Sequence, residues 1–228
     1  MFTRILTSAL IAGAVAGLCA ALLQLYFLQP VLLHAELYET GELVHFGGGE
    51  GNPAAHPAIS LDPMRDGLSV IFSMLIYAGY ALILVALMSL AADRGAVIDA
   101  RTGLLWGVAG FVAFHLAPGF SLAPEVPGVA AADVGARQMW WFATVAASGL
   151  ALWLIAYGTS ALWWAAGIAL LLAPHVIGAP EPETFAGPVP TELGALYASR
   201  VLGVGLAVWT LLGVLAGALW SSDERATA

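Results

Sequence analysis

The sequence predicts an all-α integral membrane protein with about six transmembrane helices. Hydrophobic residues make up 61% of the 228 residues and charged residues only 10%, whereas soluble domains carry about 25% charged residues. Mean hydropathy is +0.89, and several apolar runs approach or exceed ~18 residues, the length typical of a membrane-spanning helix. We expect the helices to form three hairpins, with long Pro/Gly-rich loops on one side of the membrane.

The charge and motif content exclude several classes of function. A net charge of −8 argues against nucleic acid as a partner, because its phosphates require a basic surface. The single Cys19 excludes a disulfide framework and a cysteine-built zinc site. Nucleotide-binding and hydrolase motifs are absent from the sequence. We therefore do not expect an enzyme, a catalytic residue or a tightly bound cofactor.

The predicted helices all belong to one polytopic membrane domain that spans residues 1–228. An apolar run after Arg4 is about twice as long as the core of a signal peptide, so we expect a retained first helix. Small residues spaced as GxxxG suit close helix packing, and they occur at Gly13/Gly17, Gly103/Gly107 and Gly213/Gly217. The predicted helices cover about residues 5–28, 68–92, 103–117, 139–157, 161–173 and 195–220.

Four polar segments connect or follow these helices. The longest, residues 40–66, contains Gly47-Gly48-Gly49 and is predicted to be an extramembrane loop. Residues 118–137 and 174–194 are predicted to be Pro-rich outer loops, and residues 221–228 a frayed cytoplasmic tail. Loops longer than about 12–15 residues are usually functional or disordered.

The third and fifth predicted helices are short, and each is expected to end at a proline. Pro118 and Pro174 mark these ends, with His115 and His175 beside them. Short or Pro-interrupted hydrophobic segments in corresponding positions indicate the binding site of a transporter. The plainer alternative is that the helices simply extend a few residues beyond the predicted boundaries.

The topology places all five histidines and most of the acidic residues on the long-loop side. An acidic surface concentrates cations near it. The arginines divide almost evenly between the two sides, so the positive-inside rule gives little orientation, but Arg4 before the first helix favours a cytoplasmic amino terminus. We expect both termini in the cytoplasm. Arg137 could pair with Asp133, four residues earlier, or it could hold an acidic loop in place over the end of its helix.

The histidines and carboxylates of the outer loops could together bind a divalent cation. Imidazole and carboxylate ligands suit cobalt, nickel and zinc, whereas copper(I) prefers sulfur ligands, which are nearly absent from these loops. If the two Pro-rich loops face each other, they would supply two nitrogen and two oxygen ligands, namely His115, Glu125, His175 and Glu181. A histidine near a helix end is also commonly an interfacial hydrogen-bonding residue, and that alternative stays open.

Several short stretches along the chain form a recognisable set of motifs. They are Gln24, Pro30, Glu36, Tyr38 and Glu39; Phe114-His115-Leu116-Ala117-Pro118; Pro124-Glu125-Val126-Pro127-Gly128; Ala136-Arg137-Gln138 with Trp140-Trp141; and Pro174 to Pro180. Together they cover nearly the whole chain and resemble the predicted cobalt-transporter subunit (CbtA) family of bacterial inner-membrane proteins.

The resemblance implies cobalt uptake across the inner membrane, linked to cobalamin synthesis. It also implies a small single-helix partner subunit that bears histidine (CbtB). Cobalt(II) would then be the transported cation at the four predicted ligands, with His34, Glu36 and Glu39 forming a weaker vestibule site. A different class of function also fits the sequence: an accessory or assembly subunit of a larger membrane complex that does not itself transport.

Overall fold

The computed structural model describes residues 2–45 and 62–227, and the side chains of residues 5–45 and 62–222. Within these ranges every regular element is helical, which confirms the all-α prediction. The centre of the predicted 40–66 loop lies outside the described residues.

The described residues contain eight α-helices and two five-residue π-helical turns. The first π turn, Gln24–Leu28, joins α1 to α2, and the second, Val112–Leu116, joins α4 to α5. The α-helices are α1 (Phe2–Leu23), α2 (Gln29–Glu39), α3 (Pro63–Ala92), α4 (Ala100–Phe111), α5 (Ala117–Ser121), α6 (Val134–Tyr157), α7 (Ala161–Ile177) and α8 (Thr191–Thr227).

Five continuous helical segments are long and apolar enough to cross a membrane, so the chain is a multi-pass membrane protein. They are Ile5–Glu39, Pro63–Ala92, Ala100–Ser121, Val134–Tyr157 and Thr191–Ser222. The remaining apolar helix, α7, has 17 residues. It is about 25 Å long, which is less than the thickness of a hydrocarbon core, about 30 Å. Large apolar side chains face outward along α3, including Ile71 and Leu75, as contact with lipid requires.

The prediction that Pro118 ends a helix is wrong, because a π turn lets the helix continue through it. Proline lacks an amide N–H and its ring clashes with the carbonyl four residues earlier. Both π turns end two residues before a proline, at Leu28 before Pro30 and at Leu116 before Pro118. The wider π turn relaxes the spacing around that carbonyl. The first helical segment therefore reaches Glu39, and the third reaches Ser121.

Pro174 does not end its helix either. The α7 helix continues to Ile177 and stops at Gly178, whose φ of +92° lies in the left-handed region that favours glycine. The terminator is therefore the glycine four residues later. The last helix is also longer than predicted, because α8 includes most of the expected tail and ends at Thr227.

The first of two compact units contains α1, α3, α4 and the part of α8 from Gly203 onward. A Cβ added to Gly13 would lie 2.5 Å from the Cα of Ala78, and one added to Gly17 would lie 2.5 Å from the Cα of Met74. The GxxxG face of α1 therefore packs directly against the backbone of α3. Only glycine allows this approach.

The other two GxxxG faces pack against each other within this unit. A Cβ on Gly103 would strike the carbonyl of Gly213, and one on Gly217 would strike the carbonyl of Asp99. The Trp209 side chain is 1% exposed, and its ring lies 5.0 Å from that of Tyr80. All three predicted GxxxG faces are thus used inside the chain.

The second compact unit contains α2, α5, α6, α7 and α8 as far as Leu202. Within it α6 packs along α7, where a Cβ on Gly167 would lie 2.8 Å from the side chain of Ile155. The α6–α7 pair corresponds to the fourth and fifth predicted helices. The contact of α4 with α8 joins the third predicted helix to the sixth. The arrangement as three hairpins stays a prediction.

Candidate cation-binding site

His175 lies in a small polar and aromatic cluster in the second unit. It is partly buried and lies two residues before the end of α7. Its Nδ1 is 2.8 Å from the Oγ of Ser121, the last residue of α5. The rings of Phe120 and Trp140 meet the imidazole edge to face, at centroid distances of 5.2 and 6.1 Å. One ring nitrogen is therefore engaged, and three neighbours set the orientation of the ring.

Trp140 also holds the end of α7 through its indole nitrogen. Its Nε1–H donates to the carbonyl oxygen of Pro174 at 3.3 Å, and the same oxygen accepts the amide of Gly178 at 3.1 Å. The neighbouring Trp141 packs against Phe114, with ring centroids 6.1 Å apart. The start of α6 thus contacts both segments that carry a predicted histidine ligand.

Glu125 forms an ion pair with Arg137. Its Oε2 lies 2.6 Å from Nη2 of the guanidinium, and the side chains are 28% and 26% exposed. The predicted pairing of Arg137 with Asp133 is wrong, because Asp133 is the N-cap of α6 and accepts the amide of Ala136 at 2.9 Å. A carboxylate at an N-cap satisfies amides that have no partner within the helix. The negative charge of Glu125 is thus compensated by the guanidinium of Arg137.

A small hydrophobic core brings the two outer loops and α2 together. Its buried members are Ala35 of α2, Val126 of the first loop and Val189 of the second. The loops also bond directly, since the amide of Ala130 donates to the carbonyl of Ala186 at 2.9 Å. The two Pro-rich loops therefore face each other, as the predicted ligand set requires.

Glu39 of α2 lies against the first of these loops. A Cβ on Gly128 would lie 3.1 Å from the Cβ of Glu39, and the φ of Gly128 is +81°, which favours glycine. Glu36 and Glu39 are both exposed, and His34 packs on Tyr38 with ring centroids 5.6 Å apart. The predicted vestibule residues therefore lie on the helix that contributes Ala35 to the core joining the loops.

The other two predicted ligands occupy different environments. His115 lies in the second π turn and is partly buried, whereas Glu181 is exposed in the loop after α7. Among residues 2–45 and 62–227, histidine, cysteine, aspartate and glutamate side chains form no group of three or more that could hold a metal ion. The structure thus brings the loops together without closing a four-ligand cage, and coordination by the four residues stays a prediction.

The contacts of three residues near the candidate site were not predicted from the sequence. Ser121 is 54 positions from His175, and no local spacing relates them. Trp140 was singled out only as part of the Trp140-Trp141 motif, and Arg137 was paired with the wrong acid. The N-cap pattern at Asp133 is the one signal that could have corrected this last assignment, because it engages the nearer carboxylate with the backbone.

Residues 2–221 match the model of a protein family described as "Probable cobalt transporter subunit (CbtA)". The match spans nearly the whole chain and agrees with the resemblance seen in its motifs. No curated protein and no solved structure matches the chain.

Proposed function

Since the chain belongs to the CbtA family of probable cobalt transporter subunits, we propose that it is a membrane subunit of a divalent-cation uptake system with cobalt(II) as its cargo. The observation that best supports this proposal is the packing of both outer loops and α2 on one small core. The same unit of the fold carries the proposed histidine and carboxylate ligands, a donor set that suits cobalt. We place the protein in a bacterial inner membrane, with both termini cytoplasmic.

In this proposal His175 and Glu125 bind the cation first, with His115 and Glu181 completing the coordination. The exposed carboxylates of Glu36 and Glu39, with His34, form the vestibule. Their negative charge raises the local cation concentration. Arg137 keeps Glu125 compensated until a cation replaces the guanidinium as its partner.

An incomplete ligand set suits a cargo that has to leave again. Conduction requires binding that is favourable enough for entry and weak enough for release. The described residues hold no preformed group of three or more metal ligands, so the cation would keep part of its water shell. A single-helix, histidine-bearing partner subunit of the CbtB type would contribute further ligands.

The test is cobalt accumulation in cells that lack other uptake systems. Wild type is compared with His175→Ala and His115→Ala at equal membrane abundance, with and without the partner subunit. We expect uptake to fall about tenfold in both variants. Uptake that is unchanged in both removes these histidines from the pathway. His45→Ala serves as the matched control, because His45 is exposed just after α2 and belongs to neither outer Pro-rich loop.

The second candidate function is a non-transporting accessory or assembly subunit. It is favoured by the solid interior of the first unit, where Met88, Val85 and Leu212 are completely buried. A transporter needs a polar path, whereas these three buried side chains are apolar. If the wild-type chain with its partner gives no uptake above background, while loss of the chain still prevents assembly of the complex, the accessory function is the correct one.

A further inference from the structure

We propose that Ser121 is a positioning residue that selects Nε2 of His175 as the nitrogen that binds the cation. The inference deepens the proposed function and rests on it for the identity of the cargo. It starts from one geometric fact, the 2.8 Å separation between Ser121 Oγ and His175 Nδ1.

Each histidine ring has two nitrogens, and a metal binds the one that carries no proton. When a metal binds Nε2, the proton has to be on Nδ1, and it requires an acceptor. Histidine ligands of metals almost always donate this second N–H to a carboxylate, a carbonyl or a water. In this structure the group at that position is the hydroxyl oxygen of Ser121.

The serine hydroxyl can serve in both states of the site. A hydroxyl has one proton and two acceptor lone pairs and rotates freely. It can therefore donate to Nδ1 while the site is empty and accept from Nδ1–H once a cation occupies Nε2. The Ser121 hydroxyl makes no other hydrogen bond within the described part of the chain, so it can act either as donor or as acceptor.

The contacts of the ring engage Nδ1 and not Nε2. Nδ1 is occupied by Ser121, and Phe120 and Trp140 meet the imidazole edge to face. Nε2 makes no hydrogen bond to the described residues. A ring held by one hydrogen bond and two aromatic contacts presents this nitrogen in a fixed direction, which lowers the ordering cost of binding.

The experiment measures binding and ring protonation separately on the full chain in lipid nanodiscs. Cobalt(II) chloride is titrated into wild type, Ser121→Ala, Ser121→Thr and His175→Gln. Loss of an outer-shell partner of a histidine ligand typically lowers metal affinity 10- to 100-fold. We expect a loss in that range for Ser121→Ala, recovery to within about threefold of wild type for Ser121→Thr, and loss of the site in His175→Gln.

The second readout is the ¹⁵N spectrum of histidine-labelled protein, with the His175 signals assigned by their loss in His175→Gln. With zinc(II) as a diamagnetic probe, we expect the metal-shifted nitrogen to be Nε2 and the protonated one Nδ1. Metal on Nδ1, or equal affinity in wild type and Ser121→Ala, overturns the inference. Tight binding through Nε2 in a chain that supports no uptake contradicts the proposed function and leaves the role of Ser121 intact.

Discussion

Arg200 of α8 donates from Nη1 to the carbonyl oxygen of Phe27 at 2.8 Å, across 173 positions of sequence. Phe27 lies in the first π turn, three residues before Pro30. This charged hydrogen bond ties the first π turn to α8 within the second unit.

Replacing Arg200 with leucine should destabilise the chain. A hydrogen bond to a charged group contributes about 1.5–3 kcal/mol, and partial exposure places this bond near the lower end of that range. We expect a thermal midpoint several degrees below wild type for the full chain in detergent micelles. Arg94→Leu is the matched control, because Arg94 also donates to a backbone carbonyl, that of Leu90 one turn earlier in α3. Equal effects of the two substitutions would refute a specific role for the Phe27 bond.

Glu125 and Arg137 should behave as a coupled pair. Each is about three-quarters buried, so removal of either partner leaves an uncompensated charge with restricted hydration. We expect Glu125→Gln and Arg137→Gln each to lower stability by about 1–2 kcal/mol, a range typical of coupled neighbours. The double substitution should cost less than the sum of the single ones. Additive losses in a double-mutant cycle would show that the ion pair contributes nothing.

The same pair predicts a change in cation affinity that a purely structural ion pair would not show. If Glu125 binds the cation as proposed, Arg137 would compete for its carboxylate, because Nη2 of Arg137 already lies 2.6 Å from Oε2 of Glu125. We expect Arg137→Gln to bind cobalt(II) several-fold more tightly than wild type, and Glu125→Gln to bind it more weakly. A titration in which Arg137→Gln has unchanged affinity would remove Glu125 from the ligand set.

The sequence was sufficient to predict the helices, but not that they continue through proline. Apolar runs identify membrane spans because lipid demands both an apolar surface and satisfied backbone groups. The first helix was predicted to stop at residue 28, before Pro30, and the third to end at Pro118, since proline interrupts a regular α-helix. The π turns before them change the hydrogen-bond spacing, and no local residue pattern announces such a turn.

The candidate site shows the same division between local and long-range information. The sequence left it as a condition that the two Pro-rich loops face each other, and the packing of Val126 and Val189 in one core meets that condition. The partners of individual side chains could not be predicted, because Ser121 with His175 and Glu125 with Arg137 meet only through the tertiary fold. The N-cap rule shows only that Asp133 is engaged with the backbone of its own helix and is therefore not the partner of Arg137.

Substituting alanine for Gly107 should disrupt the packing of α4 against α8. Its new Cβ would strike the carbonyl oxygen of Trp209, which is backbone and cannot move aside. Forcing extra atoms into a packed interface typically costs about 1–3 kcal/mol. Gly149→Ala in α6 is the matched control, because a Cβ there meets nothing within 4 Å. We expect a lower thermal midpoint for Gly107→Ala alone, and equal midpoints would contradict the close approach of the two helices.

Trp140→Phe should loosen the end of α7 while keeping an aromatic ring beside His175. The substitution removes the indole N–H that donates to the carbonyl of Pro174, a bond worth about 1 kcal/mol when it joins neutral groups. Faster hydrogen exchange is expected for amides of α7 near Gly178, because the helix end then opens more often. Trp141→Phe controls for loss of indole area, since Trp141 contacts Phe114 and Phe142 through its ring. Exchange at the end of α7 that rises equally in both variants would assign the effect to packing area and not to the hydrogen bond.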